Sequence, residues 1–142
     1  MNGLQRARRC AEKMYAADKA SRALGIEIEI PRPGAAIARM QVRDDMVNGL
    51  DVCHGGLIFT LADTSFAFAC NAYDRVTVAA SGDIEFLRPA MLGDNLEATA
   101  HEDHRGRNSG LYTAEVRNQR DEVVAVFRGR SVSRDEALLG DV

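Results

Sequence analysis

The spacing of apolar residues changes along the chain, and each change marks an element. From Leu4 to Leu24, the residues Leu4, Ala7, Ala11, Met14, Ala17, Ala20 and Leu24 recur at three- and four-residue steps. This predicts one amphipathic N-terminal helix over about residues 4–24, stopped by Gly25. Ile26, Ile28 and Ile30 then alternate with Glu27 and Glu29, and after Pro31-Arg32-Pro33-Gly34 the residues Ala36, Ala38, Met40 and Val42 resume a period of two. A hairpin is expected there. Between Gly56 and Ala72 the pattern becomes apolar on every side of a would-be helix, with Leu57, Ile58, Phe59, Leu61, Ala62, Phe66, Ala67, Phe68, Ala69 and Cys70. Such a helix has to be buried. Four strand-like runs follow, over 76–87, 95–104, 111–118 and 123–132, separated by turn residues. One buried helix among about six antiparallel strands predicts an α+β fold in which a curved sheet wraps a central helix.

Length and charge narrow the class. At 142 residues the chain fits one domain, 1–142, with a core over about 25–133 and a C-terminal tail 134–142. A domain of this size buries roughly two-thirds of its unfolded surface and needs no disulfide or metal to hold it. No apolar run reaches the roughly 18–20 residues of a membrane helix, and charge recurs throughout Met1 to Arg22, so a cytoplasmic protein without membrane contact is expected. Cys10, Cys53 and Cys70 form an odd set without a CxxC pair, as expected of reduced thiols. A net charge of −3 argues against a nucleic-acid partner. Neither GxxxxGK[ST] nor GxGxxG is present, and no cofactor is expected.

The chemistry concentrates between Asn48 and Asn71. Gly55 and Gly56 fall where the buried helix begins, and a helix start presents unpaired N–H groups with partial positive charge. An amide there can polarise a carbonyl and stabilise an oxyanion, although a glycine pair can also serve only a tight turn. Asp63 is the one ionisable residue of the buried helix, flanked by Leu61, Ala62, Phe66 and Ala67. A carboxylate there loses solvation and is costly unless paired, used or exposed at an edge. Cys53 beside His54 suggests a thiol nucleophile, but neighbours in extended backbone point to opposite faces and no third group orients them. His101, Asp103 and His104 suggest a metal, yet Leu96, Ala98 and Ala100 take the inner phase of that strand and leave His101 and Asp103 to solvent.

Asn48, the His54-Gly55-Gly56 triplet, Asp63 nine residues after His54, and the continuation IFTLADTSFAFACN leading on to FLRPA and GD together resemble the hotdog-fold acyl-CoA thioesterases. They are similar in particular to the PaaI-type enzymes of phenylacetate metabolism. The resemblance spans roughly residues 20–133. It implies Asp63 as general base for a water or as nucleophile, Gly55 as the oxyanion donor, and Asn48 and His54 as holders of the thioester and its departing sulfur. Ser81 matches a position whose hydroxyl orients the water, but simple alternation groups it with Thr77, Asp83 and Glu85, away from the helix, unless Gly82 marks a bulge. Gly56 and Phe66 are candidate substrate contacts. Arg88, Arg105, Arg107, Arg128 and Arg130 are candidates for the coenzyme A phosphates, with Arg128 and Arg130 on one strand face. The implied reaction frees coenzyme A and a free acid from phenylacetyl-CoA or its ring-hydroxylated relatives. Two other functions fit less well: a hotdog hydratase or dehydratase, and a non-catalytic acyl-CoA-binding regulator.

Helix geometry adds a partner. Gly55 and Asp63 are eight residues apart, about 12 Å along one helix axis, too far to serve one acyl carbon. A two-fold homodimer with antiparallel helices brings Gly55 of one chain opposite Asp63 of the other, and a dimer of dimers, a homotetramer, is expected from the resemblance.

Overall fold

The computed structural model describes residues 1–140 and places three helices and six strands in the order α1 (Gly3–Ala17), α2 (Lys19–Ala23), β1 (Glu27–Arg32), β2 (Ala35–Gln41), α3 (Gly55–Cys70), β3 (Thr77–Phe86), β4 (Asn95–Arg105), β5 (Ser109–Arg117) and β6 (Val123–Ser133). The last two residues of the expected tail 134–142 lie outside the described residues. All strands form one antiparallel sheet of order β1-β2-β4-β5-β6-β3, and α3 packs across its inner face, chiefly on β2, β4 and β5. This is the hotdog arrangement that the residue pattern and the resemblance both implied.

The floor beneath α3 is made of small residues. Across the sheet, Ala36 pairs with Ala100 and Ala100 with Ala114, while Ala38 pairs with Ala98, and all five are fully buried. Alanine projects one methyl from the sheet, so the helix backbone can settle close, and its own side chains, Leu61, Phe66 and Phe68 among them, fill the remaining space. Adding methylenes to that floor costs about 1–3 kcal/mol per site, because the extra atoms force side chains off their rotamers or shift the backbone of α3.

The N-terminal segment departs from the single helix expected. Asp18 caps a new helix instead of continuing the first. Its carboxylate accepts from the Ser21 backbone N–H at 2.9 Å and from the Ser21 hydroxyl at 2.6 Å. A short acidic side chain that bonds nearby backbone competes with the helical ladder, and the chain turns at Asp18. The turn leaves Ala17 and Ala20, assigned to the apolar stripe, exposed, whereas Ala7, Cys10 and Ala11 are buried. Helix α1 starts on a reciprocal cap between Asn2 and Gln5.

The two edges of the sheet are treated differently. Along β1 and the residue before it, α1 supplies the missing partners: the Tyr15 hydroxyl donates to the Ile26 carbonyl at 2.6 Å and Arg8 Nε to the Ile30 carbonyl at 3.3 Å. Along β3 no such cover exists among the described residues, and Val78 through Asp83 are exposed. An uncovered edge strand offers a row of unpaired backbone groups to another chain.

Tyr15→Phe removes one of the two caps on β1 and leaves the Ile26 carbonyl short of a donor. It is expected to lower unfolding stability by about 1 kcal/mol. Urea unfolding with an unchanged slope checks this, and an unchanged midpoint contradicts it.

Candidate active site

The loop before α3 is held at three places. Val47 bridges to Cys53, Val52 bridges to Met91, and the Cys53 N–H donates to the Ala90 carbonyl at 2.8 Å. Within the loop, Asn48 Oδ1 accepts from the Leu50 and Val52 N–H groups at 2.9 and 3.2 Å. The amide oxygen of Asn48 thus builds the turn, and its Nδ2 group has no acceptor among the described residues. The His54 N–H donates to the Met46 carbonyl at 3.0 Å, which sets His54 as the residue before the helix with its imidazole exposed. The His54 carbonyl accepts from Leu57 and Ile58. The N–H groups of Gly55 and Gly56 have no acceptor among the described residues. They are the bare positive end of a 16-residue helix.

Gly55 is a glycine for a spatial reason as well. A Cβ there would stand 3.0 Å from Cζ of Phe86, the last residue of β3. An open cavity of about 420 Å³ adjoins it, lined by Val52, Cys53, Ile58, Phe86, Leu87 and Arg88 among others.

Asp63 lies two turns further along, on the face of α3 that its own sheet leaves uncovered. Gly56, Phe59, Thr60, Asp63 and Ala67 all keep partial exposure on that face. Neighbouring hydroxyls turn back on the helix: Thr60 bonds the Gly56 carbonyl, Thr64 the Thr60 carbonyl and Ser65 the Ala62 carbonyl. Asp63 has neither a hydrogen bond nor an ion pair among the described residues. Burial pushes its carboxyl above the usual range, with no cation nearby to oppose the shift.

Other candidates are placed elsewhere. Phe66, a candidate substrate contact, belongs to the core: it is 1% exposed, packs on Tyr112 and Phe127, and fills the space above Gly129, where a Cβ would lie 2.9 Å from its ring. Ser81 faces away from α3. A bulge does interrupt β3, but its extra residue is Ala80, two residues before Gly82 and ahead of Ser81. Thr77 and Ala79 therefore pair with the inner positions Ser133 and Ser131, whereas Ser81 pairs with Arg130 on the outer face. Arg128 and Arg130 share that outer face, across the sheet from the Asp63 of their own chain, and Arg128 lies 3.7 Å from Asp103. Arg105 stacks on the Tyr73 ring at 3.6 Å, and Arg107 gives its carbonyl to Arg75. Of the five arginines only Arg88 lines the cavity beside Gly55, and it pairs with Glu122. Gly56 opens to free space and its carbonyl holds Thr60.

Cys53 is buried while His54 is exposed, and burial pushes the Cys53 thiol up, which disfavours the thiolate. His101 pairs with Asp103 at 3.2 Å on the exposed side of β4, and no cluster of three metal-binding side chains occurs among the described residues. The residue missed in the sequence is Phe86. Its phase with Ile84 was visible, but its approach to Gly55 depends on how far β3 extends past the start of α3.

Comparison with known proteins gives a consistent picture. The profile of the thioesterase superfamily matches residues 50–125. The acyl-coenzyme A thioesterase PaaI of Escherichia coli strain K12 is 46% identical over 121 residues, covering 85% of this chain and 86% of that protein. A putative esterase of Archaeoglobus fulgidus is 34% identical over 125 residues, covering 88% and 81%. The solved structure of the E. coli PaaI protein from the phenylacetic acid degradation operon superposes with a TM-score of 0.93 at 42% identity, over 96% of this chain and 99% of that one.

Because burial favours the protonated form of Asp63, the native state holds that proton more tightly than the unfolded chain does. The stability this contributes is complete below the ordinary carboxylate range and is lost as pH rises through the raised native value. Asp63→Asn keeps the shape and never ionises. It should match the wild type in acid and be the more stable of the two at neutral pH. Thermal unfolding from acid to neutral pH checks the crossing, and a variant less stable at neutral pH contradicts it.

Proposed function

The chain belongs to the thioesterase superfamily and is an acyl-CoA thioester hydrolase, and we propose that it cleaves phenylacetyl-CoA and its ring-hydroxylated relatives to coenzyme A and the free acid, in the cytoplasm and without a cofactor. Coenzyme A is part of the substrate. The aryl preference rests on similarity to the E. coli PaaI protein. The observation that carries the reaction type is Asp63, a half-buried carboxylate with no partner, on the same helix as two amides with no acceptor.

The thioester carbonyl oxygen accepts from the Gly55 N–H at the positive end of α3, which also stabilises the oxyanion that forms on attack. Water adds to the carbonyl carbon while a carboxylate of the Asp63 type takes its proton. A carboxyl raised toward neutrality is a better base than an ordinary one. The tetrahedral intermediate collapses with cleavage of the C–S bond, and the proton passes to the departing thiolate. The exposed His54 imidazole and the free Nδ2 group of Asn48 stand at the Gly55 end, suited to hold that sulfur. Ser81 takes no part within its own chain, since it faces away from α3.

One chain does not complete this site. Eight residues of helix separate Gly55 from Asp63, about 12 Å, whereas each must lie within a few ångströms of one carbon. The uncovered edge of β3 and the uncovered face of α3 lie where a second copy would dock. Antiparallel pairing of two copies sets Gly55 of each against Asp63 of the other, giving two shared sites per dimer. Pairing of dimers into a tetramer follows the resemblance, and the outer-face arginines Arg128 and Arg130 then meet a second dimer or the coenzyme A phosphates.

Incubation with phenylacetyl-CoA should release free thiol, and incubation with crotonyl-CoA should leave the enoyl absorbance intact except as thiol appears. Loss of enoyl absorbance without thiol supports a hydratase instead, and binding without either change supports a regulator. Asp63→Asn should lower kcat by about 10² or more, with a smaller loss for His54→Ala, and near wild-type turnover in a folded Asp63→Asn protein removes the assignment. The acid limb of wild-type activity should sit above the ordinary carboxylate range.

Mixing the inactive variants Asp63→Ala and Gly55→Pro tests the shared site. After random exchange, about half of the dimers are mixed and each holds one intact site, so about a quarter of wild-type activity should return. No recovery after verified exchange, with both variants folded and dimeric, contradicts it.

A further inference from the structure

One wall of the cavity beside Gly55 is the ring of Phe86. Phe86 ends β3 on the inner face of the sheet, in phase with Gly82 and Ile84 and in register with the fully buried Ala125. An inner-face aromatic ring would ordinarily lie under the helix. At Phe86 the strand has reached the start of α3, so the ring meets the helix at Gly55 and stays 51% exposed.

Its position is specific. Cζ, Cε1 and Cε2 of the ring lie 3.0, 3.4 and 3.5 Å from where a Cβ would stand on Gly55. The ring tip thus occupies the space that a side chain at residue 55 would take. The same ring lines the 420 Å³ cavity together with Ile58 from the helix and Leu87 and Pro89 beyond the strand. Gly55 and the ring therefore border one space.

The geometry points to Phe86 as the residue that sets the size of the acyl group accepted beside the Gly55 amide. This rests on the thioesterase function proposed above. A carbonyl oxygen held by the Gly55 N–H at about 2.9 Å brings the carbonyl carbon to about 4 Å from that nitrogen. Substituents on that carbon that extend toward the sheet then meet the Phe86 ring. A larger side chain at 86 removes that room, and a smaller one adds to it. Phe59, a partly exposed ring on α3, does not compete for this role, because it is held edge-on against Phe127 with centroids 5.5 Å apart.

The test compares kcat/KM for acetyl-CoA, phenylacetyl-CoA and naphthylacetyl-CoA by thiol release in the wild type, Phe86→Trp, Phe86→Leu and Phe86→Ala. Phe86→Trp should lower the phenylacetyl-to-acetyl ratio by about tenfold or more, and Phe86→Ala should raise the naphthylacetyl-to-phenylacetyl ratio by a similar factor, with Phe86→Leu between wild type and alanine. Phe86→Leu carries the second comparison if the alanine variant does not fold. Ratios that stay within about threefold across the folded variants overturn the assignment, and so does a parallel fall for all three substrates, the result expected if the ring served only contact between subunits. A wild type that releases thiol from none of the three overturns the thioesterase function and this assignment with it.

Discussion

Everything at the site depends on how closely α3 lies on its sheet. A row of alanines, Ala36, Ala100 and Ala114, with Ala38 and Ala98 beside it, gives the helix a floor one methyl high. The helix is therefore held at its middle by packing, and its two chemically active features are left at the margins. Its N-terminus projects beyond the floor with two unused amides. Asp63 sits on the face turned away from the floor, desolvated by its neighbours but held by none of them.

The same packing leaves the molecule unfinished on one side only. Tyr15 and Arg8 cap the Ile26 and Ile30 carbonyls on the β1 edge, while among the described residues β3 remains open beside the uncovered face of α3. The open edge is the one at which the proposed two-fold pairing would close the sheet. In this scheme the stability gained by covering an apolar helix face and the chemistry gained by joining an amide to a distant carboxylate come from one contact.

Much of this was legible in the residues because two periods coexist without ambiguity. The all-round apolar run announced a buried helix, and the alternation of Leu96, Ala98 and Ala100 announced the inner face of β4. The features that escaped are those set by local competition or by relative position. Asp18 is one polar residue in a helical pattern, and only its bonds to Ser21 show that it ends one helix and starts another. The bulge at Ala80 lies among Ala79, Ala80 and Ser81, small residues whose alternation carries no hydrophobic phase. Phe66 and Phe86 have the same side chain, yet one lies in the core and the other over Gly55. That difference comes from where each falls relative to the end of α3, which no single segment encodes. Periodicity placed Arg128 and Arg130 together, and the structure adds that their shared face is opposite to that of Asp63 in the same chain.

The central claim is that desolvation without a partner keeps the Asp63 carboxyl poised to take a proton. Carbon-13 NMR of protein labelled at the aspartate side-chain carboxyl, with the Asp63 signal assigned by its absence in Asp63→Asn, reads that ionisation directly. A midpoint clearly above the ordinary aspartate value of about 3.9 is predicted. A midpoint at or below that value would show that Asp63 has found solvent or a cation, and would contradict the account.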